Sequence, residues 1–174
     1  DRGPDSKGVL DLLVRYRDDP RFVMLGGNHD FGFLEFLDLP RAASLFAKHG
    51  GFDTAASYGV QGDFHSDFGV AQTRNALLDT IPGDHIDLLE NLQRSTSFGD
   101  FFFCHAGVRP GVELEKQDRD DLVWIREVFL DYHGLHPKVI VHGHTPQPEP
   151  QVLANRVNVD TLAYRSGVLS ALAI

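Results

Sequence analysis

Apolar positions along the chain fall into two kinds of run: short unbroken blocks, and longer stretches in which they recur every three or four residues. The first kind reads as buried strand and the second as a helix packed on one side. Val9, Leu10, Leu12, Leu13 and Tyr16 form the first helical stripe, with Ser6 as N-cap and an end expected near Asp18. Arg21-Phe22-Val23-Met24-Leu25, set between Pro20 and the pair Gly26-Gly27, reads as a buried strand. Helix and strand together make half of a β-α-β crossover, so parallel pairing is expected. Phe31, Phe33, Leu34, Phe36 and Leu37, then Leu45, Phe46 and Ala47, predict two helical pieces broken at Pro40, with the aromatics in the core and Gly50-Gly51 closing the region. Residues 57–74 carry no clear period and read as a lid or cap loop. Pro82, Ile86, Leu89 and Leu92 predict a helix to about Arg94. Phe101–Cys104 and Lys138–Val141 are two more buried strands, separated by a helix from Asp118 through Leu122, Ile125 and Phe129. Short strands over 151–153, 156–159 and 168–173 are expected to close the chain as an antiparallel meander.

No repeat or linker divides this pattern, which predicts a single domain over 1–174, long enough for a real core. Apolar residues make up 42% and charged residues 24%, the balance of a soluble globular protein. The net charge of −9 excludes general nucleic-acid binding and requires any anionic substrate to be drawn by local charge at its site. One cysteine, Cys104, rules out an internal disulfide and fits a reducing, cytoplasmic compartment. No apolar run approaches the roughly 18–20 residues needed to span a bilayer, so no membrane partner is expected. The chain opens at Asp1, without Met, on the loop-like Asp1-Arg2-Gly3-Pro4, which does not read as a natural beginning.

The chemistry gathers at strand ends. Three predicted strands each end in a metal-competent residue beside a glycine turn: Asn28-His29, His105 and His144. One histidine after a strand is usually a loop residue; three such ends on strands able to neighbour one another point to a site. Imidazole and amide or carboxylate oxygen suit Mn, Fe or Zn, ions that clamp phosphoryl groups. Arg2 offers a planar fork matched to phosphate oxygens, and Asp1 is placed to orient His29 as the acid that protonates a leaving oxygen. His142 shares a strand face with His144 but reads as a packed strand-end residue. His49, His65, His85, His133 and His136 read as surface residues, and Asp63-Phe64-His65-Ser66-Asp67 as a solvated loop. Asp118–Asp121 read as a helix start complementing its dipole. Cys104 alternates away from His105, against a nucleophilic role.

Asp1-Arg2-Gly3-Pro4-Asp5-Ser6-Lys7-Gly8-Val9, Gly27-Asn28-His29-Asp30, Cys104-His105-Ala106-Gly107 and Gly143-His144-Thr145-Pro146 follow one another over nearly the whole chain. In order and style they resemble the calcineurin-like metallophosphoesterases, with the bacterial phosphoprotein (serine/threonine) phosphatases nearest and the diadenosine tetraphosphate hydrolases also similar. The resemblance implies an α/β (α+β) fold, a β-sandwich flanked by helices. It implies a two-metal centre of Mn, Fe or Zn, with Asn28, His105 and His144 as ligands of one ion. His29 would be the general acid with Asp1 as its partner, and Arg2 and Arg126 would bind substrate phosphate, Arg126 beside a buried Trp124. The family's Asp-x-His motif, which ligates the other metal, should lie before Asp1. The chain is therefore expected to be amino-terminally truncated, to lack the fold's first strand, and to hold at most one well-ligated ion. An exposed sheet edge and dimerisation through it follow from that expectation. The implied activity is metal-dependent hydrolysis of a phosphorylated protein. The alternatives are a dinucleoside tetraphosphate substrate, or a catalytically inactive fragment that binds one metal or phosphate.

Overall fold

Asp5, one residue before the expected cap, starts the first helix: its carboxylate accepts from the Gly8 N–H at 2.9 Å. The computed structural model describes residues 1–174. Its residues divide into two compact units, 1–24 with 29–92, and 25–28 with 93–174.

The first unit is helical. α1 (Ser6–Val14) ends earlier than its apolar stripe and passes into turns. α2 (Asn28–Asp38), α3 (Leu45–His49) and α4 (Gly51–Ser57) carry the aromatic region. Gly50-Gly51 joins α3 to α4 and does not close the region as expected. Phe36 and Phe46 are fully buried, and Phe46 stacks on Phe33 with ring centroids 4.6 Å apart. The expected core role of these rings holds, each buried phenylalanine being worth about 2–3 kcal/mol. The predicted loop at 57–74 is half helix: α5 (Asp67–Thr80) starts at Ser66, whose hydroxyl accepts from the Gly69 N–H. Its apolar residues were hard to see because Thr73 fills one of its buried positions, bonding the backbone of Asp63. α6 (Gly83–Glu90) follows Pro82 and stops short of Arg94.

Residues 21–24 do not form the expected strand. Asp19 takes up their start: the Arg21 N–H and guanidinium both bond its carboxylate, and the Phe22 N–H bonds its carbonyl. Phe22 and Val23 stay about half exposed, and only Leu25, already in the second unit, makes a parallel bridge, to Gln93. An apolar run becomes strand only where a neighbour completes its backbone ladder.

The second unit carries one five-stranded sheet in the order β1-β2-β3-β5-β4. β1 (Ser95–Phe98) and β2 (Phe101–Cys104) form a hairpin around Gly99-Asp100. β2, β3 (Val139–His142) and β5 (Arg156–Asn158) are parallel, and β4 (Gln151–Val152) closes the other edge antiparallel to β5. The mixed α/β class is as expected, whereas the strands form a single sheet and not the two layers of a sandwich. The meander also differs. β5 returns parallel to β3, and residues 163–166 form a short helix, α9, with no strand after it. The single helix expected from Asp118 is broken into α7 (Asp121–Trp124) and α8 (Glu127–Leu130) at Ile125-Arg126, whose backbone leaves the helical region. This interrupted segment is the crossover that a parallel β2-β3 pair requires.

Candidate metal centre and phosphate site

Three of the predicted donors converge in the second unit. His105 Nε2 lies 2.8 Å from Asn28 Oδ1 and 3.2 Å from His144 Nδ1. Each donor is set by backbone. Leu25 and Gly26 run alongside Gln93, with the Gly26 N–H donating to its carbonyl at 2.8 Å, which delivers Asn28. A Cβ on Gly27 would stand 2.7 Å from the His105 ring, so only glycine lets the backbone pass this close. His105 follows β2, and its carbonyl accepts from the Gly143 N–H at 2.8 Å, locking the ends of β2 and β3 together. His144 sits in the left-handed region at φ 65°, unusual for a side-chain residue and typical of functional turns. Asn158 Nδ2 donates to the Thr145 carbonyl at 2.8 Å and holds that turn.

The three donors fit a divalent ion. Bonds of about 2.1 Å meeting near right angles put donors about 3 Å apart, and imidazole with amide oxygen is a borderline donor set. An ion in place of the proton His105 Nε2 shares with its neighbours would satisfy the same three atoms. No group of three His, Cys, Asp or Glu side chains gathers anywhere in the chain, so the set depends on the amide of Asn28. A cavity of about 450 Å³ lies at the ends of the strands and is lined by His105, His142, His144 and Asp160 among others. Asp160, a carboxylate in the loop after β5, was not foreseen in the sequence because it follows a short, weakly patterned strand.

His142 is packed, as expected: it is 2% exposed, with its ring edge-on to Phe129, and burial pushes its pKa down to about 4. The strand ends at His142, so the alternation that would have carried it to the face of His144 stops there. Cys104 is buried, which pushes its thiol up to about 12 and leaves it unreactive.

The predicted acid group assembles in the first unit. His29 Nδ1 is 2.7 Å from Asp1 Oδ1, off the line of a hydrogen bond, and the Asp1 carboxylate is almost fully buried. Arg2 donates to His29 Nε2 at 3.3 Å. Burial first, then the Arg2 charge, lowers the His29 pKa to about 4, so the ring is neutral at pH 7 with Nε2 as an acceptor. An anion on Arg2 would cancel the second of these effects and favour the protonated ring. Gly50 makes this placement possible, since a Cβ there would overlap the Asp1 carbonyl. The pair opens on a largely apolar cavity of about 300 Å³, bordered by Val9, Leu13 and Phe33.

Arg126 is exposed in the second unit and donates to Thr145 Oγ1 at 3.3 Å, one residue from His144. Trp124, expected to be buried, is 47% exposed, and its ring meets the His144 ring edge-on at 5.9 Å. Helical spacing explains the indole: Trp124 is the last residue of α7, about 200° around the helix from the buried Leu122, and so points away from the buried face. Among the remaining histidines, His136 is half-buried against Phe129 and Tyr132, and His85 is the larger correction. It is 2% exposed, with Nδ1 2.7 Å from Tyr58 Oη and Nε2 3.0 Å from Asp11 Oδ1. A single histidine on a helix face gives no sequence signal of such partners.

Parallel strands with imidazole and amide donors at their ends are the arrangement of a metallophosphoesterase. The chain belongs to the calcineurin-like phosphoesterase family, matched over residues 1–171, a family of hydrolytic enzymes that generally bind two divalent metals. It is 26% identical over 189 residues to the asymmetrical bis(5'-nucleosyl)-tetraphosphatase PrpE of Anoxybacillus flavithermus, covering 99% of this chain and 71% of that protein. To the protein of the same name from Oceanobacillus iheyensis it is 25% identical over 180 residues, covering 92% of this chain and 65% of that one. The fold matches a crystal structure provisionally described as a diadenosine tetraphosphatase, with TM-score 0.61 and 18% identity over 94% of this chain and 67% of that one. No helix is long and apolar enough to cross a membrane.

Proposed function

We propose that the chain carries the metal-dependent hydrolytic site of a dinucleoside polyphosphate hydrolase, the alternative substrate class of the sequence reading. The convergence of Asn28 Oδ1, His105 Nε2 and His144 Nδ1 carries this reading. Its nucleotide preference rests on the two tetraphosphatase relatives. When bound, a divalent ion supplies positive charge to phosphoryl oxygens and lowers the pKa of water. Asn28, His105 and His144 hold it. Arg126, bonded to Thr145 next to His144, offers a planar donor fork to phosphate oxygens, and Arg2 offers the same beside His29. His29 takes a proton once anionic substrate offsets Arg2, and gives it to the leaving phosphate oxygen. Asp1 orients the ring. With a net charge of −9, these two arginines are the local attraction for a polyanion.

The test is turnover of diadenosine tetraphosphate beside a phosphoserine peptide, both with Mn²⁺. Faster release of nucleotide than of peptide phosphate is expected, and the reverse would restore the phosphoprotein reading. A second reading, a binder of one metal or phosphate without turnover, is favoured by the single three-donor set. It wins if calorimetry finds one bound ion and neither substrate is cleaved.

A further inference from the structure

We propose that Trp124 is a stacking platform for a nucleobase, the element that distinguishes a nucleoside polyphosphate from a bare phosphate chain. The inference rests on the nucleotide reading above and adds to it a base subsite that the metal donors and arginines do not provide. Trp124, the chain's only tryptophan, is 47% exposed, and unlike the other open rings Phe68 and Phe98 it touches a donor of the metal set. Its position is built. Arg109 makes a two-point ion pair with Asp121 at 2.7 and 2.8 Å, anchoring the first residue of α7. The Ala106 N–H donates to the Leu122 carbonyl at 2.8 Å. Phe129 packs so tightly on Gly107 that a Cβ would overlap its ring, which fixes α8. Between these anchors Trp124 ends α7 on the face opposite the buried Leu122, which leaves the indole outward.

The surroundings select the ligand. The indole meets the ring of His144, a donor of the metal set, at close to a right angle with centroids 5.9 Å apart. Arg126, two residues on, bonds Thr145 beside that donor. A ligand lying on the open indole therefore has a cation and phosphate-binding groups next to it, the layout of a base joined to a polyphosphate. Stacking is tolerant of base identity because every base has a π-face. The platform separates nucleotides from inorganic or peptide phosphates, and does little to separate one base from another.

The single tryptophan makes the test direct. With Mn²⁺ present, ATP should quench the intrinsic fluorescence while inorganic tripolyphosphate should not. By calorimetry ATP should bind about tenfold more tightly than tripolyphosphate. Trp124→Leu should erase that difference and leave Mn²⁺ and tripolyphosphate affinities unchanged, whereas Trp124→Phe should keep most of it. Equal affinity of the wild type for ATP and tripolyphosphate, or no binding of ATP, overturns the proposal. So does a Trp124→Leu variant that loses Mn²⁺, tripolyphosphate and ATP in parallel, since the indole would then only support His144. Phosphate release from tripolyphosphate and from diadenosine tetraphosphate is followed in the same samples. Turnover without a nucleotide preference leaves the hydrolase reading standing and removes the base subsite. Nucleotide preference without turnover does the opposite.

Discussion

Asn28 and His29 are consecutive, yet their side chains are held by different means. Asn28 belongs to the sheet-bearing unit, where its amide meets His105 and His144 at the ends of β2 and β3. Those donors are fixed by strand register, by the bond between Gly143 N–H and the His105 carbonyl, and by the turn at His144. His29 belongs to the helical unit and meets Asp1 and Arg2, residues of the loop before α1. That loop is placed by helix packing: Ser6 Oγ to Thr54 Oγ1 at 3.0 Å, the Lys7 N–H to Ser57 Oγ at 3.1 Å, and Asp11 to the buried His85. A parallel ladder fixes each residue by two neighbours, whereas a loop ahead of a helix moves with its helix. Metal affinity and proton delivery should therefore respond to different substitutions.

The largest expected break is His105→Ala. His105 Nε2 is the atom shared by both other donors, so Mn²⁺ affinity should fall by roughly 100-fold or more, judged from the 10–100-fold cost of losing even an outer-shell partner. Calorimetry on the metal-stripped chain reads this, and near-normal affinity would place the metal elsewhere. His29→Asn tests the other half. It should leave Mn²⁺ affinity alone while kcat falls by about 10²–10⁴. A parallel loss of metal binding would show that the two regions do not work separately.

The two glycines sharpen the same contrast. Gly27→Ala pushes a methyl group against the His105 ring and should cost about tenfold in Mn²⁺ affinity. Gly50→Ala pushes one into the Asp1 carbonyl. It should leave Mn²⁺ affinity intact and lower kcat through displaced Asp1 and His29. Equal metal affinity in wild type and Gly27→Ala would mean that His105 is not sterically cradled by this backbone.

What could be read in the sequence follows from the same difference. The convergence of Asn28, His105 and His144 was legible because an apolar block, a polar donor and a glycine turn recur at three places, two of which are true strand ends. The core rings Phe33, Phe36 and Phe46 were legible by helical spacing. Residues 21–24 were misread because their apolar pattern is that of a strand, while Asp19 competes for their backbone and side-chain donors. Trp124 was misread because its size and apolar character suggested burial, while its position two residues after Leu122 puts it on the other face of the helix. His85 was taken for a surface residue because its partners, Tyr58 and Asp11, come from distant helices. Patterns report the face of one element; they do not report which second element arrives there.

Asp5→Ala probes how far the helical unit depends on one cap. Loss of the bond from the Gly8 N–H to the Asp5 carboxylate should destabilise by about 1 kcal/mol, read as a lower midpoint in urea. Mn²⁺ affinity should not follow. If it does, α1 contributes to the donor set as well as to the acid group.

The smallest expected effect is a pH dependence in the sheet-bearing unit. His136 packs beside Phe129 and Tyr132, and its Nε2 is buried without a hydrogen-bond partner. Burial, and then the charge of Arg156, holds its pKa below the ordinary histidine value of 6.5. The unfolded chain therefore binds a proton at a pH where the folded chain does not. Stability from this group is complete above about 6.5 and is lost as pH falls toward the lowered folded value. Because the ring is partly open to solvent, the loss should stay below about 1 kcal/mol. Thermal midpoints of wild type and His136→Gln, both metal-free, should converge as pH is lowered from 7.5 to 5, the wild type losing more. A constant gap would mean that His136 is no easier to protonate in the unfolded chain than in the folded one.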